Sequence, residues 1–299
     1  MVEFFDPAID RKSNIVDRSF IDQAGPGTVP LPSVVEVSES GTCNRKCSFC
    51  PRSAPNFEDV KKFIPTALIA KLSRQLNEVG YKGIFLFSGF VEPLLDKNIF
   101  NLVSTVSQEC PGCRPEMVTN GDVLNRDRLK RLFDSGLKTL LISVYDSEDD
   151  ALRFEELCRS IGLSDDQYVI RRRFLPEEQD FGITLSNRAG MMNKTEHIIP
   201  ALAQPLEKPC YYPHYTFFMD YVGDVLLCPH DWGKKKVVGN LNDQDFMDIW
   251  TDPEITLVRK RLQAADRGFA PCNVCDAQGV MMGKKHVDAW NVLYENDSD

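Results

Sequence analysis

The chain has 299 residues and no run of the roughly 20 apolar residues that a membrane span requires, so it is expected to be globular, with sequence for about two domains. With 35 basic against 44 acidic residues its net charge is −9, which argues against a nucleic-acid groove and suits a neutral or cationic small substrate. Ten cysteines without a secretory signal are expected to be ligands, core thiols or nucleophiles of a cytoplasmic protein rather than disulfide partners.

Residues 1–30 read as an N-terminal extension. Val34 to Ser38 then reads as a strand, and Thr66 to Val79 as a helix with Leu68, Leu72 and Leu76 on one face and Gly80 as its stop. GIFLF from Gly83 to Phe87 is a second strand, followed by a helix carrying Ile99, Leu102, Val103 and Val106. PEMVTNG is a third strand, and RDRLKRLFDSG a helix capped by Asn125 and stopped at Gly136. LLISVYD is a fourth strand, Ser147 caps the next helix, YVIRRRFL is a fifth strand and FGITLSNRAG a sixth. Repeated β-α units imply a partial (β/α)6 TIM-like barrel over residues 31–199, with the chemistry on loops at the C-terminal ends of its strands. From about residue 200 the texture changes. YYPHYTFFMDYVGDVLLCPHDW reads as a β-hairpin turning at Gly223, and residues 200–299 are expected to form a smaller domain ending in a helix.

Two cysteine sets stand out. Cys43, Cys47 and Cys50 follow the first strand, and the nearest other cysteine, Cys110, lies two strands away. Three thiolates would hold an iron cluster with one iron left open. Cys210, Cys228, Cys272 and Cys275 follow the pattern C-x12-G-x4-C and then C-x2-C, a count of four that closes a cubane or a zinc site. Cys110 and Cys113 are expected as loop thiols, and Cys158 as a core residue.

The first spacing resembles that of the radical SAM superfamily, and the later strand ends carry the resemblance on. SGFVEPLLDKN is similar to the family's Gly-rich motif, with Gly89, Glu92 and Pro93 matching and Val91 where glycine is usual. TNG with Asn120 ends strand three, Ser143 lies on strand four, and Arg171 and Arg173 share one face of strand five. The resemblance implies a SAM-binding [4Fe-4S] cluster on Cys43, Cys47 and Cys50. It also implies Phe49 beside the adenine, backbone oxygens of the Gly-rich loop on the SAM ammonium group, and Ser143, Arg171 or Arg173 on its carboxylate or ribose. The second cysteine set resembles the SPASM or twitch region of such proteins, which implies a second, auxiliary [4Fe-4S] cluster.

From that resemblance, S-adenosylmethionine is the cosubstrate, and the reaction begins when its 5′-deoxyadenosyl radical takes hydrogen from an unactivated carbon. The arrangement is most like the single-auxiliary-cluster members, among them the aminocyclitol dehydrogenase of butirosin biosynthesis and related sugar-modifying enzymes. They imply oxidation of a secondary alcohol of a sugar, aminocyclitol or conjugate to a ketone, with the auxiliary cluster as electron acceptor and a flavodoxin- or ferredoxin-type donor. Peptide modification of the sulfatase-maturase kind, sugar epimerisation or dehydration, and a non-catalytic iron–sulfur or zinc protein are the alternatives. A leader-binding domain is not expected ahead of Cys43, and no thiol is evidently placed to return hydrogen to a substrate radical. Arg188, His230, Asp231 and Tyr145 are the candidates for orienting the substrate or taking its proton.

Overall fold

The structure, a computed structural model, describes residues 6–18, 28–174, 185–195 and 198–296. Helix α1 (Pro7–Arg18) precedes strand β1 (Val34–Ser38) and the short β2 (Ser40–Gly41). Strand β3 (Val60–Phe63) pairs antiparallel with β2, so the cysteine loop between them is clasped at both ends. Then α2 (Thr66–Glu78), β4 (Ile84–Phe87), α3 (Ile99–Glu109), β5 (Arg114–Thr119), α4 (Arg126–Asp134), β6 (Thr139–Val144), α5 (Glu148–Ser160) and β7 (Tyr168–Arg172) alternate as the hydrophobic periods require. Asn125 and Ser147 cap their helices with side-chain oxygens, accepting from Arg128 N at 2.9 Å and Asp150 N at 3.2 Å. After the one-turn α6 (Tyr212–Tyr215) come β8 (Thr216–Asp220), β9 (Asp224–Leu226), β10 (Val237–Asn240), α7 (Phe246–Trp250), α8 (Pro253–Gln263) and the terminal α9 (Lys284–Asn296).

The strands form one eight-stranded sheet in the order β10-β9-β8-β1-β4-β5-β6-β7. From β8 to β7 every pairing is parallel, and β9 and β10 extend it antiparallel beyond the Gly223 turn. The hairpin expected near residue 220 is therefore present, but its first strand pairs with β1, Val34 opposite Thr216 and Ser38 opposite Asp220. This changes two expectations. Six parallel strands do form, but the sixth is β8. Of the expected strand FGITLSNRAG, residues 181–184 lie outside the described residues and 185–190 run as coil and turn. Nor does the sheet stop at residue 200, because the edge of β1 needs β8 to satisfy its backbone groups.

Alternation along β1 sorts its side chains. Val35 and Val37 face the helical layer, packing in the main core with Leu68, Leu72 and Leu76 of α2, while Val34 packs on the other face with Ile84 and Val16 of α1. Glu36 shares that second face. Cys158 is buried in the main core as expected, and Cys110 and Cys113, in the turn after α3 where loop thiols are expected, are buried in that core too. No helix among the described residues is long and apolar enough to cross a membrane.

Candidate active site

Cys43, Cys47 and Cys50 line a cavity of ≈ 290 Å³ at the C-terminal ends of the parallel strands. Their loop is braced internally: Thr42 Oγ1 donates to Asp59 at 2.9 Å, and Arg52 Nη1 pairs with the same carboxylate at 2.8 Å while its Nε donates to Phe90 O at 2.7 Å. Arg45 straps the rim, donating to Asp122 at 2.7 Å and to Asp146 at 2.6 Å, with its guanidinium 5.4 Å from the Tyr145 ring centroid. Burial and the two neighbouring thiols push Cys47 up to about 11. Three half-buried thiols that mutually oppose ionisation fit a cationic iron group, whose charge reverses that cost.

The remaining walls come from the strand ends. Phe49 and Tyr145 lie against each other with centroids 5.4 Å apart, making an apolar face for a nucleobase. Tyr145 therefore belongs to this cavity and does not reach the second one described below. Gly89 holds φ at 99°, and a Cβ there would come within 3.0 Å of the Phe218 ring. Val91 lines the cavity without closing it. Glu92 is buried and accepts from Leu94 N at 3.0 Å, Thr119 Oγ1 at 2.6 Å and Asn120 N at 2.7 Å, tying the loop after β4 to the end of β5. It braces the loop from Gly89 to Glu92 that lines the cavity. Pro93 starts the short 3-10 turn behind Glu92 and is not a lining residue. Asn120, Ser143, Arg171 and Arg173 do line the cavity. Both arginines are already paired with Asp6, which caps α1 at 2.9 Å: Arg171 at 2.7 Å and Arg173 at 3.0 Å.

Cys210, Cys228, Cys272 and Cys275 converge beyond β8. Burial, followed by Cys272, Cys275 and Cys210, drives the Cys228 thiol well above its ordinary range, and burial with Cys210 and Cys275 pushes Cys272 up to about 12. Four thiols set against one another, with Arg267 as the nearby cation, fit a closed iron–sulfur group. Arg267 is itself the fastening: its guanidinium donates to Lys208 O, Pro209 O, Ala277 O and Gln278 O at 2.7–2.9 Å, joining the Cys210 segment to the segment after Cys275.

A second cavity of ≈ 280 Å³ lies on the sheet face bearing Glu36 and is walled on the far side by α1. It shares Glu36, Ser88, Val118, Arg171, Arg188 and Pro229 with the first, so the two cavities adjoin. Arg188 stands at the junction with φ 47°, on a turn fixed by Asp276, which accepts from Ser186 Oγ at 2.8 Å and Asn187 N at 2.7 Å. His230 lines the second cavity two residues past Cys228, its ring 5.1 Å from Tyr212 and its Nδ1 3.5 Å from Ser186 Oγ. Burial, then Arg188 and Lys12, push His230 down to about 3, so its ring is neutral and a weaker base than a free imidazole. Asp231 is corrected: it is fully buried, lines neither cavity, and caps a turn by accepting from Lys235 N at 2.9 Å and Lys236 N at 2.8 Å.

Sequence reasoning missed Asp6, Lys12, Glu36, Arg45 and Trp232. A charge in the middle of VVEVS was the one available signal, because a carboxylate on a buried strand has to face something polar. Trp232 packs on Phe90 at 4.4 Å, so the segment following Cys228 also closes the first cavity.

Comparison with known proteins agrees with this geometry. The Radical SAM superfamily model matches residues 38–172, and the SPASM model, an iron-sulfur cluster-binding domain, matches residues 210–276. The S-adenosyl-L-methionine-dependent 2-deoxy-scyllo-inosamine dehydrogenase of Niallia circulans is 29% identical over 257 residues, which is 86% of this chain and 97% of that protein. The crystal structure of BtrN in complex with AdoMet and 2-DOIA superposes with a TM-score of 0.67 at 28% identity, covering 84% of this chain and 95% of that one. Streptococcus suis SuiB bound to precursor peptide SuiA shares the fold alone, at a TM-score of 0.57 and 17% identity over 79% of this chain and 70% of that one.

Proposed function

The chain belongs to the radical SAM superfamily and is a radical SAM oxidoreductase with an SPASM iron–sulfur domain, and from that premise we propose that it oxidises a secondary alcohol of an aminocyclitol or related sugar to a ketone. The observation that carries this reading is the adjacency of the two cavities, which share Glu36, Arg171 and Arg188. One is lined by three cysteines, and the other is largely apolar but carries Lys12, Glu36, Arg188 and His230 and lies beside a segment carrying Cys228.

Cys43, Cys47 and Cys50 would hold the SAM-binding cluster, and S-adenosylmethionine, when bound in the first cavity, would supply the radical chemistry that takes one hydrogen atom from the alcohol carbon. The chain's own residues do the rest. Arg188, at the junction, donates to the alcohol oxygen and favours loss of its proton; His230, held neutral, accepts that proton at a ring nitrogen. Cys210, Cys228, Cys272 and Cys275 would hold the auxiliary cluster, which would supply the acceptor for the second electron. Hydrogen atom, proton and electron together make the two-electron oxidation. Phe90 and Trp232 exclude water from the first cavity while α1 encloses the second. The half-exposed rim of the cysteine loop is where we expect a flavodoxin- or ferredoxin-type donor to dock, in the cytoplasm, where ten free thiols stay reduced.

The test uses Cys272→Ala, with 2-deoxy-scyllo-inosamine as substrate. The variant should still cleave SAM but form little ketone, and the wild type should place no solvent deuterium at the attacked carbon. Stoichiometric deuterium there, in a product of unchanged oxidation state, would identify an epimerase and overturn the reading.

A further inference from the structure

Helix α1 lies ahead of both matched segments, which begin at residues 38 and 210. Yet it is fastened at three points, two toward the parallel strands and one at the start of α9. Asp6 pairs with Arg171 and Arg173, Arg11 donates to Glu116 at 2.7 Å, and Asp17 accepts from Gly283 N at 3.4 Å through its side chain and from Lys285 Nζ at 2.7 Å through its carbonyl. Val16, fully buried against Val34, Ile84 and Met282, adds an apolar anchor.

The face so anchored, Ala8, Ile9, Arg11 and Lys12, forms a wall of the second cavity. The charges around that cavity divide into two groups. Arg11 is spent on Glu116, and Arg171 on Asp6. Lys12 makes no hydrogen bond or ion pair among the described residues, though Glu36 and Arg171 face it across the space and its charge is felt at His230. Glu36 lines the same space beside Ser88, and its carboxyl feels the charges of Lys12 and Arg188. Lys12, Glu36 and Arg188 thus line one volume without a contact ion pair among them. An occupant with hydroxyl groups satisfies them, because a hydroxyl both accepts and donates.

We propose that Lys12 is a specificity-determining residue for the substrate: its ammonium donates to a ring hydroxyl that in turn donates to Glu36, orienting the ring so that the carbon to be oxidised faces Arg188 and His230. The inference rests on the aminocyclitol reading above. It assigns to α1, none of whose residues lines the first cavity, the role of choosing among polyhydroxylated rings.

The experiment measures equilibrium binding of 2-deoxy-scyllo-inosamine to the cluster-loaded, oxidised, SAM-saturated protein, in which no turnover occurs. Lys12→Met should weaken binding about ten- to a hundredfold, the range for losing a charge-assisted hydrogen bond. Lys12→Arg should recover most of the loss, which separates a lost donor from a collapsed helix. Among singly deoxygenated analogues, one should bind wild type and Lys12→Met equally well. Unchanged affinity of Lys12→Met for the parent aminocyclitol, with wild type binding it, overturns this inference alone. Failure of wild type to bind it overturns the substrate reading and the inference with it.

Discussion

Replacing Gly279 with alanine should empty the auxiliary cluster site while sparing the first. Gly279 sits at φ +74°, and a Cβ built on it would come within 2.6 Å of Cys210 Sγ and 2.9 Å of Cys210 Cα. The left-handed backbone costs a non-glycine residue about 1–2 kcal/mol. Relief of the contact requires Cys210 to retreat by about 1 Å to reach an ordinary carbon contact. Its segment is not free to do so: Cys210 N donates to Leu262 O at 3.0 Å, Tyr211 N to Gly279 O at 2.8 Å, and Arg267 grips Pro209 O at 2.7 Å. Overpacking of this kind adds roughly 1–3 kcal/mol. A total of about 2–5 kcal/mol should lower the melting temperature. It should also displace Cys210, so iron after anaerobic reconstitution falls from about eight to about four per chain, given four irons per cubane. Gly268→Ala is the control, because its Cβ meets only the Asp266 carboxylate at 3.3 Å. Full iron content and an unchanged melting temperature in Gly279→Ala would refute the argument.

Cys47→Ala should abolish 5′-deoxyadenosine formation while leaving about four irons per chain on the other cysteine set; continued SAM cleavage would remove Cys47 from the ligand set. Val91→Gly should alter SAM affinity by no more than about threefold, equivalent to ~0.7 kcal/mol, because the backbone is what the loop presents; calorimetric titration decides. Acidification should destabilise the protein through its buried histidines. His214 is pushed down to about 3 by burial, then by Arg259 and His286. Between about 6.5 and 3 the unfolded chain therefore binds a proton that the folded state refuses, and stability falls as pH falls by up to ~1.4 kcal/mol per unit. His214→Gln should remove that share, so denaturant midpoints of wild type and variant should converge from pH 7 to 5. Parallel pH profiles would contradict it.

The β-α elements up to β7 were legible because each buries one face, so leucines at four-residue spacing and caps such as Ser147 mark them. β8 was visible as a strand but not as a neighbour of β1. TFFMD is buried throughout, which suits a central strand as well as a hairpin, and pairing between residues 34 and 216 is a long-range event that no local pattern records. The cysteines were legible because cluster ligation allows few residue types and tight spacing. Lys12 was not: in PAIDRKSNIVDR it is one surface-type charge among several, and only the docking of α1 makes it a cavity residue. Asp231 failed for the opposite reason, since adjacency to Cys228 in sequence says nothing of which way the next side chain turns.

The pairing of β8 with β1 means that the radical-generating half cannot be obtained as an independent fragment. A chain ending near residue 200 would leave β1 with an unpaired row of amide and carbonyl groups along Val34–Ser38, all fully buried or nearly so in the intact protein. Such a naked, largely apolar edge is a template for self-association. Truncation should therefore yield aggregate rather than a cluster-binding barrel, and a protease should find no cut that releases either half in native form.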